Sequence, residues 1–136
     1  MICFQKSLLL IAAVCLLLLC GCGGTQLSPF SSDGCSLFPD GTWSHCCYTH
    51  DLTYWKGGTS AQRQEADLVL RQCVEQTGHS TTASLMYHGV RLFGSAYTPA
   101  WFRWGFGWPY GRGYTPLTDE ERLQVSALSI PQPSHP

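Results

Sequence analysis

The chain has 136 residues, eight of them cysteine, and a formal charge of −1, with 12% charged and 12% aromatic residues. This length suits one small domain, and the balanced charge excludes a broad basic surface for nucleic acid. The aromatic content also excludes a chain that is too polar to collapse.

The N-terminus has the pattern of an export signal. Lys6 is the only early charge, and a continuous run of small or apolar residues extends from 8 to 20. That run is too short to span a bilayer unaided, but it has the length of a signal-peptide core. The letters LCGC, which end at Cys22, resemble the bacterial lipobox, whose cysteine receives a lipid and becomes the new N-terminus.

This resemblance predicts a signal peptide over residues 1–21, a lipid anchor on Cys22 and a membrane-anchored lipoprotein of the bacterial cell envelope. The alternative is an ordinary secretory signal, which would leave Cys22 as a free thiol in a periplasmic or secreted protein. In both cases the mature chain lies in an oxidising compartment.

Four cysteines remain after the signal peptide and Cys22 are set aside: Cys35, Cys46, Cys47 and Cys73. An even number in an exported chain predicts two disulfides, and three pairings are possible. The neighbours Cys46 and Cys47 should have different partners, because a ring between adjacent cysteines is strained. A four-cysteine zinc site is the alternative, but its ligand spacing is poor.

The mature chain begins with small and polar residues over 22–32, which predict a tether, and continues with a turn-rich loop over 33–41. Residues 43–55 lack glycine and proline and predict a helix that stops at Gly57 and Gly58.

A second helix is predicted to begin at Thr59 or Ser60, where Thr59 and Gln62 form a capping-box pattern, and to run to Thr77 before Gly78. The linker between the two helices is short, so they should form an antiparallel hairpin.

The C-terminal half gives weaker signals. A further helix is predicted over 83–93, and residues 97–117 are dense in Trp, Tyr, Gly and Pro, which indicates an irregular segment. That segment is either a surface that contacts lipid or a wrapped cover of the hairpin. We expect a mainly α, disulfide-bonded domain over 33–117 and an unstructured tail over 118–136.

The first helix carries the residues with the clearest chemistry. Cys46, His50 and Tyr54 recur at four-residue spacing and share a face, and Asp51 stands about 100° round from His50. An imidazole can act as a general base near neutral pH, and a carboxylate suits a hard cation such as calcium. An adjacent His and Asp alone are usually solvent-facing, so this pair is a weak signal by itself.

The residues around His50 and Asp51 make this signal stronger. CCYTHDLTY, residues 46–54, resembles the C-C-x-x-H-D-x-x-Y signature of the secreted phospholipase A2 enzymes. Asp67 lies six residues before Cys73, as the second catalytic aspartate of that family precedes a bridging cysteine. DGCS, residues 33–36, resembles the D-x-C-S of the bacterial and fungal branch. The likeness covers roughly residues 33–75.

The resemblance implies hydrolysis of the sn-2 ester of glycerophospholipids at a membrane surface. His50 would take a proton from the attacking water, Asp67 would accept a hydrogen bond from the other imidazole nitrogen, and Tyr54 would hold Asp67. No serine or cysteine nucleophile is then needed.

The same resemblance implies calcium as the cofactor, held by the carboxylates of Asp51 and Asp33 and the carbonyl of Gly34. It also implies the disulfides Cys35–Cys47 and Cys46–Cys73. The chain departs from the animal enzymes in its shorter calcium loop, which lacks their glycine-rich pattern, and nothing after about residue 80 matches the family.

Alternatives follow for single residues. Asp67 could be a solvated carboxylate paired with Arg63 or Arg71, four residues away on either side. Tyr54 could be a core aromatic only, and Asp40 could replace Asp33 as a ligand or simply turn the chain.

Two other classes of protein also fit the sequence. One is a phospholipase A2-like envelope lipoprotein that has no activity and binds lipid or has a structural role. The other is a Cys/His thiol hydrolase, which would need a free cysteine.

Overall fold

The computed structural model describes residues 25–129, so the predicted signal peptide and the lipid anchor on Cys22 lie outside the described residues. The described chain contains no strand and has four helices: α1 (Ser44–Lys56), α2 (Ser60–Gln76), α3 (Ser80–Phe93) and α4 (Asp119–Ser129). The predicted mainly α, disulfide-bonded fold is confirmed. None of these helices is both long enough and apolar enough to cross a membrane.

Helices α1 and α2 form the antiparallel hairpin. Residues that contact each other across it follow in reverse order along the two helices: Cys46 with Cys73, His50 with Asp67, and Tyr54 with Arg63. The predicted capping box starts α2, since the Thr59 hydroxyl accepts from the Gln62 backbone and the Gln62 side chain accepts from the Thr59 backbone. Residues from α1, α2 and α3 share one apolar cluster, which includes Leu70, Val74 and Met86.

The irregular segment over 97–117 completes the hairpin at the C-terminal end of α1. The Gly105 amide donates to the Tyr54 carbonyl at 2.7 Å, and the Trp108 indole donates to the Lys56 carbonyl at 2.8 Å. A Cβ on Gly57 would lie 2.9 Å from Cα of Gly105, so the two chains approach too closely for a larger residue. The Trp108 indole satisfies a carbonyl that the helix end leaves without a partner, whereas the Tyr54 carbonyl also accepts from the Gly57 amide at 3.1 Å.

The structure supports the prediction that part of this segment covers the hairpin, whereas contact with lipid stays a prediction. Trp104 and Trp108 are buried, so this part of the segment covers the core. Trp101 and Tyr110 are 66% and 62% exposed and belong to the surface.

The tether prediction for 22–32 is wrong where the structure describes it. Leu27 is buried against Trp55 and Trp108, and its amide donates to the Gln124 side chain at 2.9 Å. An apolar side chain that reaches an indole-lined recess is stabilised by burial, so this segment belongs to the domain.

The tail prediction for 118–136 is wrong over Asp119–Ser129, which is α4. Thr118 and Glu121 exchange the two hydrogen bonds of a capping box, and Glu121 pairs with Arg112 in a largely buried ion pair. Thr118 is therefore the start of a helix and not the start of a tail. The domain extends over at least 25–129 instead of 33–117.

Candidate active site

Helix α1 presents two buried side chains to α2, one turn apart. His50 is 8% exposed and Tyr54 is 2% exposed, and their ring centroids are 4.2 Å apart. The Cys46–Cys73 disulfide, one turn before His50, holds this face of α1 against α2. The four-residue spacing found in the sequence therefore corresponds to one buried stripe.

Asp67 on α2 has no exposed surface and hydrogen-bonds both of these side chains. Its Oδ1 is 2.9 Å from His50 Nε2 and accepts a 2.7 Å hydrogen bond from the Tyr54 hydroxyl. Because an ionised carboxylate can only accept, this geometry assigns a proton to Nε2 of His50, and in a neutral ring Nδ1 is then the acceptor. Within residues 25–129, no group hydrogen-bonds to His50 Nδ1.

The electrostatics keep Asp67 ionised. Burial raises the pKa of its carboxyl, but hydrogen bonds from His50, Tyr54 and Arg91 outweigh burial and bring the pKa below its usual value. Burial and the neighbouring Asp67 charge raise the pKa of Tyr54 far above its ordinary range, so its hydroxyl remains a donor.

Two arginines surround the carboxylate. Arg91 Nη1 donates to Asp67 Oδ2 at 2.8 Å, and Arg63 Nε lies 3.8 Å from the same oxygen. The alternative of a solvated Asp67 is therefore wrong, and Arg71 pairs with Glu75 instead. Sequence reasoning missed Arg91 altogether and placed Arg63 on the surface, although Arg63 is only 5% exposed.

A cavity of about 320 Å³ opens beside the His50–Asp67 pair. His50, Asp51 and Tyr54 form part of its wall, and Gly34 stands at its edge on the preceding loop. The remaining wall is mostly apolar and includes Phe38, Leu70, Met86, Val90, Phe93 and Phe102. An apolar cleft with a few converging polar groups is the usual form of a small-molecule site.

The two disulfides fix this arrangement, and they are the pairs that the resemblance implies. Cys35–Cys47 ties the loop that contains Gly34 to α1, three residues before His50. Cys46–Cys73 ties α1 to α2. Since all four cysteines are paired, the thiol-hydrolase alternative has no free thiol in the described chain.

Asp51 lines the cavity, and Asp33 lies on the neighbouring loop next to Gly34, which also lines it. Asp51 accepts a 2.6 Å hydrogen bond from Ser32, and Asp33 accepts hydrogen bonds from Ser36 at 3.0 Å and from the Trp101 indole at 3.1 Å. Burial raises the pKa of Asp51 to about 6, and the charge of Asp33 adds a smaller upward effect. Two carboxylates that repel each other beside a backbone loop are the oxygen donors that a hard cation prefers.

Two other groups, Asp40 and His45, are poor candidates for metal ligands. Asp40 accepts a 3.2 Å hydrogen bond from the Cys35 amide, which favours the turn role over the ligand role. His45 Nε2 lies 3.4 Å from Cys46 Sγ and 3.6 Å from Cys73 Sγ. Both of those sulfurs are in a disulfide, so this cluster has no thiolate to offer a metal.

The chain matches no protein-family model, no curated protein and no solved structure.

Proposed function

We propose that this protein is a calcium-dependent, phospholipase A2-like esterase that hydrolyses the sn-2 ester of glycerophospholipids. The observation that carries the proposal is the buried contact of 2.9 Å between His50 Nε2 and Asp67 Oδ1, in a pair whose His50 lines an apolar cavity. Because Asp67 holds Nε2, Nδ1 is the nitrogen left to act as the base. The motif resemblance supports the same reaction.

In the proposed reaction, a water molecule attacks the ester carbonyl while His50 Nδ1 takes one of its protons. Asp67 stabilises the resulting imidazolium without becoming protonated. The imidazolium then returns the proton to the departing glycerol oxygen, and the products are a fatty acid and a lysophospholipid. Tyr54 keeps Asp67 in place throughout.

Asp51, Asp33 and the Gly34 carbonyl are the groups that would hold calcium. Their oxygen donors fit this ion, and bound calcium would supply Lewis-acid stabilisation of the charge that develops on the ester oxygen. Ser32 orients Asp51 through its 2.6 Å hydrogen bond. The Cys35–Cys47 disulfide would keep the loop donors next to α1.

The apolar cavity fits an acyl chain, and the predicted lipid anchor fits a membrane substrate. Leu27 docks on the domain only five residues after Cys22. An extended chain of that length spans roughly 17 Å, so a lipid on Cys22 would hold the domain close to the bilayer.

The test is fatty-acid release from a phospholipid that carries different acyl chains at sn-1 and sn-2, analysed by mass spectrometry. The wild type with calcium should release the sn-2 acid, whereas chelator or the substitution His50→Gln should abolish release. Equal release by wild type and His50→Gln would contradict the proposal. Vesicle binding without any release would favour the inactive lipid-binding lipoprotein.

A further inference from the structure

Arg91, near the C-terminal end of α3, contacts Asp67 through the carboxylate oxygen that His50 does not use. Its Nη1 donates a 2.8 Å hydrogen bond to Oδ2 of Asp67, whereas His50 and Tyr54 both use Oδ1. The two carboxylate oxygens therefore have different partners. A carboxylate held at both oxygens cannot rotate without breaking a charge-assisted hydrogen bond.

Arg63 does not fill the same role, although it is close to the carboxylate. Its Nε lies 3.8 Å from Asp67 Oδ2 and donates instead to the Tyr54 hydroxyl at 3.1 Å. Within the described residues, Arg91 is thus the permanently charged side chain that hydrogen-bonds Asp67.

Arg63 also hydrogen-bonds the backbone of α3 at Arg91. Its Nη2 donates to the backbone carbonyls of Val90 and Arg91, both at 2.8 Å. These carbonyls lie in the last turn of α3, and the Val90 carbonyl also accepts from the Gly94 amide at 2.9 Å. Since Arg63 belongs to α2, the end of α3 is attached to the same helix that carries Asp67.

We propose that Arg91 is a positioning residue for the His50–Asp67 pair. Its guanidinium holds Oδ2 of Asp67, so Oδ1 stays on His50 Nε2, the proton stays on that nitrogen, and Nδ1 remains free. The catalytic part of this inference rests on the proposed esterase function, because only there does Nδ1 act as a base. The geometric part, that Arg91 keeps the proton on Nε2 of His50, does not depend on that function.

A merely structural role for Arg91 makes a different prediction. If Arg91 only joined α3 to α2, its removal would lower stability and leave the His50–Asp67 hydrogen bond intact. The test must therefore read the state of His50 directly. Nitrogen-15 NMR of the imidazole distinguishes the protonated from the unprotonated ring nitrogen and detects a hydrogen-bonded Nε2 proton that exchanges slowly.

The variants are Arg91→Ala, Arg91→Lys and, as the matched control, Arg71→Ala, which removes a surface ion pair of the same 2.8 Å length. In Arg91→Ala the slowly exchanging Nε2 proton should disappear, and kcat for ester hydrolysis should fall by about 10- to 100-fold with little change in KM. Arg91→Lys should keep most of both properties. Arg71→Ala should resemble the wild type in both.

Added guanidinium provides the second measurement. The Arg91 side chain is 30% exposed, so the space left in Arg91→Ala is open to solvent. Guanidinium ion, at a concentration well below that which unfolds the wild type, should restore the Nε2 proton signal and the rate. Circular dichroism identifies any unfolded variant; if Arg91→Ala does not fold, Arg91→Gln replaces it.

The inference is overturned if Arg91→Ala, or Arg91→Gln in its place, keeps the wild-type nitrogen-15 spectrum of His50. It is also overturned if the Nε2 proton signal is lost and neither Arg91→Lys nor added guanidinium restores it. A wild type without esterase activity would contradict the proposed function instead. In that case the NMR comparison still decides whether Arg91 positions His50.

Discussion

The hydroxyl of Tyr54 donates a 2.7 Å hydrogen bond to the buried carboxylate of Asp67, although these residues lie on different helices. The bond crosses the hairpin one helical turn from His50. It is therefore both a contact that stabilises the α1–α2 packing and a restraint on the carboxylate oxygen that faces the imidazole. Both effects can be measured with a single substitution.

Tyr54→Phe removes this hydrogen bond and the one that the hydroxyl accepts from Arg63, and leaves the ring in place. We expect the free energy of unfolding to fall by about 1–3 kcal/mol, because Asp67 loses one of its donors and Arg63 Nε loses its acceptor. Esterase activity should fall only a few-fold. Urea unfolding checks the first value, with Tyr48→Phe as the control, since Tyr48 is 52% exposed. Equal losses in the two variants would contradict a specific role for the Tyr54 hydroxyl.

The two disulfides should differ in what their removal does. Cys35–Cys47 closes a separation of 12 residues and Cys46–Cys73 one of 27. Chain-entropy arguments predict a loss of about 3 kcal/mol for the first pair and about 3.5 kcal/mol for the second. A measurement of stability alone therefore hardly distinguishes the two disulfides.

The calcium response of esterase activity should distinguish the two disulfides clearly. Replacing Cys35 and Cys47 by alanine releases the loop that contains Gly34 and Asp33, so the calcium response should be lost while the hairpin remains closed. Replacing Cys46 and Cys73 leaves that loop attached to α1. A wild-type calcium titration in the first double variant would contradict the assignment of the loop as a ligand source.

The raised pKa of Asp51, about 6 instead of 3.8, predicts an unusual pH dependence in the presence of chelator. The folded state binds this proton more tightly than the unfolded state, so the group destabilises the fold above about pH 6 and has no such effect below about pH 4. Stability should therefore fall as pH rises through this window, an effect in addition to those of other groups.

Asp51→Asn isolates this contribution. The variant should be more stable than the wild type at pH 7 by on the order of 1–3 kcal/mol, and the difference should vanish near about pH 4. Ser32→Ala removes a hydrogen bond that lowers the pKa, so it should shift the window upward. Urea unfolding across pH measures both. If Asp51→Asn is less stable than the wild type at pH 7, the predicted destabilising effect of the Asp51 charge is wrong.

The cavity opens onto exposed apolar side chains. Leu37, Leu85 and Phe93 line it and are 81%, 59% and 62% exposed. We expect this rim to enter the lipid surface when substrate is taken up, because burial of such side chains is favourable. A Leu37→Ser/Phe93→Ser variant should bind phospholipid vesicles about tenfold more weakly.

Co-sedimentation with vesicles measures this effect, in a Cys22→Ser background so that no lipid anchor contributes. Leu123→Ser is the control, since Leu123 is 72% exposed but lies on α4. If the control and the rim variant weaken binding equally, the surface that contacts the membrane lies elsewhere.

Local patterns in the sequence were sufficient to predict part of this fold. The stripe of Cys46, His50 and Tyr54 depends on helical spacing alone, and the start of α2 depends on the pair Thr59 and Gln62. Both are short-range signals, so they hold without knowledge of tertiary contacts. The contact between His50 and Asp67 followed from the motif resemblance and not from spacing.

Long-range contacts outside the motif could not be predicted. Arg91 meets Asp67 across 24 residues of sequence, and no local pattern distinguishes it from a surface arginine. Leu27 looks like part of a polar tether until Trp55 and Trp108 provide a recess for it. These side chains acquire their roles through packing, which overrides local composition.

The most direct test of the proposed mechanism compares the rates of His50→Gln, Asp67→Asn and the double variant on one phospholipid substrate with calcium. If the two residues act as one unit, the double variant should lose no more activity than His50→Gln alone, because the second substitution removes nothing further. Losses that multiply, or activity that survives in His50→Gln, would contradict the account.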